Sequence, residues 1–168
     1  MHNTPAPTGP VIADALSEFT LRMRYDDIPS AIREQAKHHL LDVIGICFAA
    51  TRDEYAPKTL SALRKFGGGD SEIIGMHERL PLRDAMLING ALAHGIDYDD
   101  TYLPGGLHPT AGCFTCALGV GAERHVTGRE LLTAYILGVE AACRIARVGG
   151  TQFLQVGFHP TGIVNAFG

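Results

Sequence analysis

The chain has 168 residues, enough for one domain and a real core, since a chain of this size hides roughly 68–70% of its unfolded surface. It is 46% hydrophobic and 19% charged with a formal net charge of −4, so it has no basic excess with which to neutralise phosphates, and nucleic acid is excluded as a partner. The 20 glycines and the absence of tryptophan predict close backbone approach between packed elements.

In chain order, residues 1–10 carry three prolines and no apolar run, and read as a mobile tail rather than a signal peptide. The domain is therefore expected to occupy 11–168. Val11 to Met23 repeats apolar residues at helical spacing. Asp26, Asp27 and Pro29 punctuate the start of a second helix, with Pro29 expected in its first turn. Its apolar stripe runs through Ile32, Ala36, Leu40, Val43, Ile44 and Cys47 and fades at Thr51. Pro57 to Phe66 forms a shorter helix closed by three glycines, and Ser71 to Gly75 is the one plausible strand. Pro81 opens a helix towards Gly95, and a polar loop leads to another from Pro109 to about Glu123. That helix is built of Ala, Gly, Cys and Thr, which allows close packing near the middle of a bundle. Thr127-Gly128-Arg129-Glu130 fits a capping box, and the helix it starts is so apolar that it is expected to be mostly buried. Within that helix, Glu140 and Arg144 are spaced for an i,i+4 pair. Gly149-Gly150 ends it, and Pro160 opens a last helix eight residues before the end of the sequence.

The reading is thus predominantly all-α, with at most one short strand. The longest nearly apolar stretch, Ala111 to Ala122, is far short of the ~20 residues a membrane span needs. Cys47, Cys113, Cys116 and Cys143 all lie in apolar helical patterns, where a free thiol packs as a small hydrophobe. Nothing calls for an oxidising compartment, and a cytoplasmic location is expected.

Chemistry concentrates in two places. The first is the run His94 to Thr101, with Asp97, Asp99 and Asp100 inside four residues. If the helix continued, Asp97 and Thr101 would share a face at i,i+4, with Asp100 beside them. Crowded carboxylates repel, which raises at least one pKa towards the range useful for proton transfer. The competing reading is a solvated acidic loop. The second place is the triplet His108-Pro109-Thr110, which recurs as His159-Pro160-Thr161. A residue before proline avoids the helical region, so each His would stand just outside a helix N-terminus, where free amides attract anions. Two such sites facing one pocket would suit a substrate with several carboxylates, with imidazole moving protons. The alternative is that each His is only a polar residue before a helix. Metal binding is the rival use of Asp97, Asp100, His108 and His159, but no tight ligand spacing is present and no metal is expected. Cys113-x-x-Cys116 is half a zinc site inside an apolar helix, which favours core packing. His38, His39, His77 and His125 read as surface residues without a role.

The run GALAHGIDYDDTYLPGGLHPTAG, from Gly90 to Gly112, closely resembles the signature region of the MmgE/PrpD family. The resemblance continues through Thr127 to Leu132 and into Gly157-Phe158-His159-Pro160-Thr161, and in style it covers most of the chain from Ala13 onward. It implies the N-terminal part of a large helical domain, with the family's smaller α+β lid absent. It also implies a homodimer that uses no metal or organic cofactor. By the same resemblance, the activity is that of a lyase or isomerase on a small di- or tricarboxylate. The reactions implied are 2-methylcitrate dehydratase-like proton abstraction alpha to a carboxylate, cis-aconitate decarboxylation or iminodisuccinate epimerisation. Asp97, His108 and His159 would handle protons, Thr101 would hold a substrate carboxylate, and His94 and Asp100 would support them.

The family also places lysines in its pocket, whereas here the lysines are Lys37, Lys58 and Lys65, all before the signature. The chain is accordingly expected to be a truncated portion that is inactive by itself and needs a missing C-terminal polypeptide. The alternative function is a non-catalytic helical module used for dimerisation.

Overall fold

A computed structural model describes residues 11–168, so the tail expected at 1–10 lies outside the described residues. Helix α1 (Ile12–Arg22) leads through a 3-10 turn at Tyr25–Asp27 to α2 (Ser30–Ala50). Pro29 is the residue before α2 rather than part of its first turn, a one-position correction. Helix α3 (Tyr55–Leu63) tightens into a 3-10 turn, Arg64–Phe66, and stops at Gly67. The φ of Gly67 is 129°, a conformation that costs little only without a Cβ. Then come α4 (Leu82–His94), α5 (Pro109–Glu123), α6 (Gly128–Gly149), the short α7 (Gln152–Gln155) and α8 (Pro160–Val164). None of the described helices is long and apolar enough to cross a membrane.

The expected single strand becomes two. Ser71–Glu72 (β1) pairs antiparallel with Arg79–Leu80 (β2), joining Ser71 to Leu80 and Glu72 to Arg79. A lone strand would leave its amides and carbonyls without partners, so the chain doubles back within a few residues. The buried Asn89 of α4 ties this hairpin to the bundle. Its Oδ1 accepts from the Ile74 amide at 2.8 Å, and its Nδ2 donates to the Glu72 carbonyl at 3.2 Å.

Helix α5 packs between α4 and α6, as its small residues predict. A Cβ on Gly112 would meet Asn165 at 2.8 Å, so the last turn of the chain can approach α5 only because that position is glycine. One continuous core joins Val43 and Cys47 of α2, Leu60 of α3, Ile88 and Leu92 of α4, Phe114 of α5 and Tyr135 of α6. The thiol of Cys113 is buried and pushed up to about 12 by that burial, so it behaves as packing rather than as a ligand. Cys116, one turn further on, is exposed, contrary to the expectation that all four cysteines face the interior.

Helix α6 departs further from expectation. Only Leu132, Tyr135, Ala141, Ala142 and Ala146 are fully buried, and Val148 is 87% exposed. The polar band does carry the Glu140–Arg144 pair. The flank away from α5 faces a cavity of about 1480 Å³ shared with α1 and α7, lined by Leu16, Phe19, Ile145 and Phe153. At the helix start the capping box forms. The Glu130 amide donates to Thr127 Oγ1 at 3.3 Å, and the Thr127 amide donates to the Glu130 carboxylate at 2.7 Å. Thr127→Ala removes the first of these bonds, and a loss of about 1 kcal/mol of stability is expected in urea or thermal unfolding.

Candidate functional site

Helix α4 ends at His94, and the chain turns at Asp97, whose φ of 53° is left-handed. Asp is one of the few residues with a Cβ that tolerates this conformation, and such positions concentrate at functional sites. The turn cancels the helical continuation considered from sequence, so Asp97 and Thr101 do not share a helix face. It also sends Asp99 back under His94. Asp99 is 6% exposed, and a carboxylate that deep must be paired. Its two oxygens lie 3.0 and 3.2 Å from His94 Nδ1.

Tyr102 and Leu107 then exchange backbone hydrogen bonds of 2.7 and 3.3 Å, pinching off the loop and delivering His108 to the start of α5. His108 Nδ1 lies 3.3 Å from the Asp99 carbonyl and 3.4 Å from its carboxylate. Its Nε2 lies 3.7 Å from Asp97.

His159, the residue before α8, completes the cluster. Its ring stacks on that of His94 at 5.5 Å, with the two Nε2 atoms 3.2 Å apart. The second triplet and the turn after it hold the first in place. The His108 amide donates to Thr161 Oγ1 at 3.1 Å, and Asn165 Nδ2 donates to the His108 carbonyl at 2.9 Å.

The structure therefore brings His94, Asp97, His108 and His159 together, and adds Asp99, to which the sequence pattern assigns no role of its own. Asp99 sat in plain view between two residues singled out, but its burial is the signal that matters, and no local pattern carries it. Thr101 is exposed, and its hydroxyl reaches the Asp99 carbonyl at 3.5 Å. Asp100 turns away from the histidines. It accepts from the Thr110 amide at 3.2 Å and faces His39 at 3.8 Å. The N-terminus of α5, anticipated as a site for a substrate anion, thus has one of its free amides occupied by the protein's own carboxylate.

Burial holds the Asp100 carboxyl above the usual carboxylate range, against the lowering effect of the Thr110 hydrogen bond and of His39. The Asp99 charge is the smallest named contributor, so desolvation rather than crowding is the main cause. His39, read from sequence as a bystander, is half-buried beside Tyr135. Its Nδ1 lies 3.4 Å from the Tyr135 hydroxyl, which in turn is 2.7 Å from Thr110 Oγ1.

His94, Asp97, Asp99 and His108 each offer a ligand atom, all within 4.8 Å of one another. Zinc ligands lie about 2.0–2.2 Å from the metal. To hold zinc, the group would have to contract, and Asp99 would have to share its carboxylate between the ion and two imidazoles. The cluster is not part of the 1480 Å³ cavity, whose mainly apolar wall could not receive a polycarboxylate without large desolvation cost.

A helical domain whose helix-start histidines meet a carboxylate turn defines a class: an all-α scaffold with a candidate proton-transfer centre. The family model of the MmgE/PrpD N-terminal domain matches residues 14–168, and the chain belongs to that family. It is similar to a cis-aconitate decarboxylase-like protein, oryM, of Aspergillus oryzae, with 26% identity over 91% of this chain and 33% of that one. It is similar also to cis-aconitate decarboxylases of Aspergillus terreus, with 26% identity over 88% of this chain and 32% of that one, and of Mus musculus, with 24% identity over 87% and 31%. The chain spans about a third of the length of these curated relatives.

Proposed function

We propose that the protein serves as the proton-handling portion of a lyase acting on a small di- or tricarboxylate. The observation that carries this reading is the meeting of three imidazoles and Asp97, drawn from separate stretches of chain, at one partly exposed face. Curated relatives that match most of this chain are cis-aconitate decarboxylases, which makes cis-aconitate the first substrate to try and 2-methylcitrate the second.

The chemistry common to these acids is loss of a proton or of carbon dioxide next to a carboxylate. Either departure leaves an electron pair that delocalises onto the neighbouring carboxylate. A neutral imidazole can take the proton, and an imidazole N–H can return one to carbon. The negative charge needs preorganised donors or cations around it. Lys37 and Lys58 are engaged in surface pairs with Glu34 and Glu54, and Lys65 is exposed on the turn that follows α3. In this reading the cationic part of the pocket comes from outside the 168 residues, and the active assembly is a homodimer in the cytoplasm.

The test is to incubate the complete gene product with each acid and follow product by proton NMR, with and without a chelator. Turnover of one of them that survives the chelator is expected. Failure with both acids would remove the assignment. Activity abolished by the chelator and restored by zinc would instead favour a metal held by His94, Asp97, Asp99 and His108, whose mutual proximity is the one observation in its favour.

A further inference from the structure

We infer that Asp99 is a positioning residue that fixes the tautomers of two imidazoles and thereby makes His159, rather than His94, the carrier of the proton they share. The inference rests on the proton-transfer reading of the site, and its geometry stands on hydrogen bonding alone.

A backbone carbonyl can only accept a hydrogen bond, and so can an ionised carboxylate. His108 Nδ1 faces the Asp99 carbonyl at 3.3 Å, so in the neutral ring that nitrogen carries the hydrogen. His94 Nδ1 faces both oxygens of the buried Asp99 carboxylate, at 3.0 and 3.2 Å, and it too carries the hydrogen. With both rings neutral, each therefore turns an unprotonated Nε2 away from Asp99.

For His108 that nitrogen has no hydrogen-bond partner on the protein, since the exposed Asp97 carboxylate is 3.7 Å away and beyond bonding distance, so its lone pair is free to accept a proton from a substrate carbon. For His94 it points at His159 Nε2, 3.2 Å away. Two unprotonated nitrogens cannot approach that closely, so His159 Nε2 holds the hydrogen and donates it to His94. The order is carboxylate, imidazole, imidazole. It leaves His108 as the base, and His159 as a group that carries a proton at Nε2 and can deliver it when its ring swings off His94. Nothing in this order requires His94 to touch a substrate. Its role is to accept from His159, and Asp99 keeps it able to do so.

Nitrogen-15 NMR of the complete protein labelled at histidine reads the arrangement without substrate. In the wild type at neutral to mildly alkaline pH, His94 and His108 are both expected as the Nδ1–H tautomer. Asp99→Asn, which is nearly isosteric, should turn His94 into a mixture of tautomers while leaving His108 unchanged, because the backbone carbonyl still accepts from it. A merely disrupted fold would move both signals. On the carboxylate substrate, Asp99→Asn should lower kcat by about 10²-fold or more with little change in KM, and Asp99→Glu should recover part of the loss. An Nε2–H tautomer at His94 in the wild type, or Asp99→Asn turnover within about twofold of normal, would overturn the inference. The wild-type spectrum decides even if the variant does not fold. Absence of turnover together with the expected tautomers would count against the lyase reading alone.

Discussion

His159→Ala in the complete gene product is expected to lower kcat by about 10²–10⁴-fold while leaving the domain folded. His159 is exposed, and the polar partner its side chain has is His94, across 3.2 Å. Removing an exposed imidazole costs little stability, commonly within about 0.5 kcal/mol. The elements around it are held by other groups. Pro160, Thr161 and Val164 of α8 are buried, and Thr161 and Asn165 grip the backbone of His108. What the substitution does remove is the hydrogen that His94 accepts. Steady-state kinetics with cis-aconitate, alongside circular dichroism to establish folding, separates the two effects. Unchanged kcat with an intact spectrum would take His159 out of the site.

The largest expected effect on stability is that of Phe114→Ala, about 3–5 kcal/mol. Phe114 is 2% exposed at the centre of α5 and meets Tyr135 edge-on, with ring centroids 6.3 Å apart and planes at 84°. The cavity left by its ring would lie in a core shared by every long helix from α2 to α6, so no single element can collapse to fill it. The same helix begins at His108, and loosening α5 should also spread the histidine cluster. Urea unfolding measures the first consequence, and a matching fall in kcat at denaturant-free temperatures well below the melting point measures the second. A loss below about 1 kcal/mol would mean that α5 is not the keystone its burial indicates.

Much of the helical framework was legible in the sequence because its determinants are local. Pro109 opens α5, and the Thr127–Glu130 box opens α6 where the spacing predicts. The small residues of α5 foretold its central place. The failures are equally local in origin. The loop Gly95 to Leu107 has no periodicity that could reveal a left-handed Asp97, and the stretch Ser71 to Gly75 carries no hint that its partner is only two residues long. The apolar surface of α6 says that it wants burial, not that a neighbour is available on every side.

Sequence by itself determined which residues could do chemistry and which element each one borders, since helix starts and stops depend on side chains within a few positions of one another. Tertiary structure alone decided their use. Asp99 rather than Asp100 lies beneath the imidazoles, and Asp100 serves the Thr110 amide and faces His39. His94 finds its partner 65 residues away at His159, and His39 meets Tyr135 across 96. Such pairings depend on how whole helices pack, and packing answers to the summed burial of many side chains rather than to any motif.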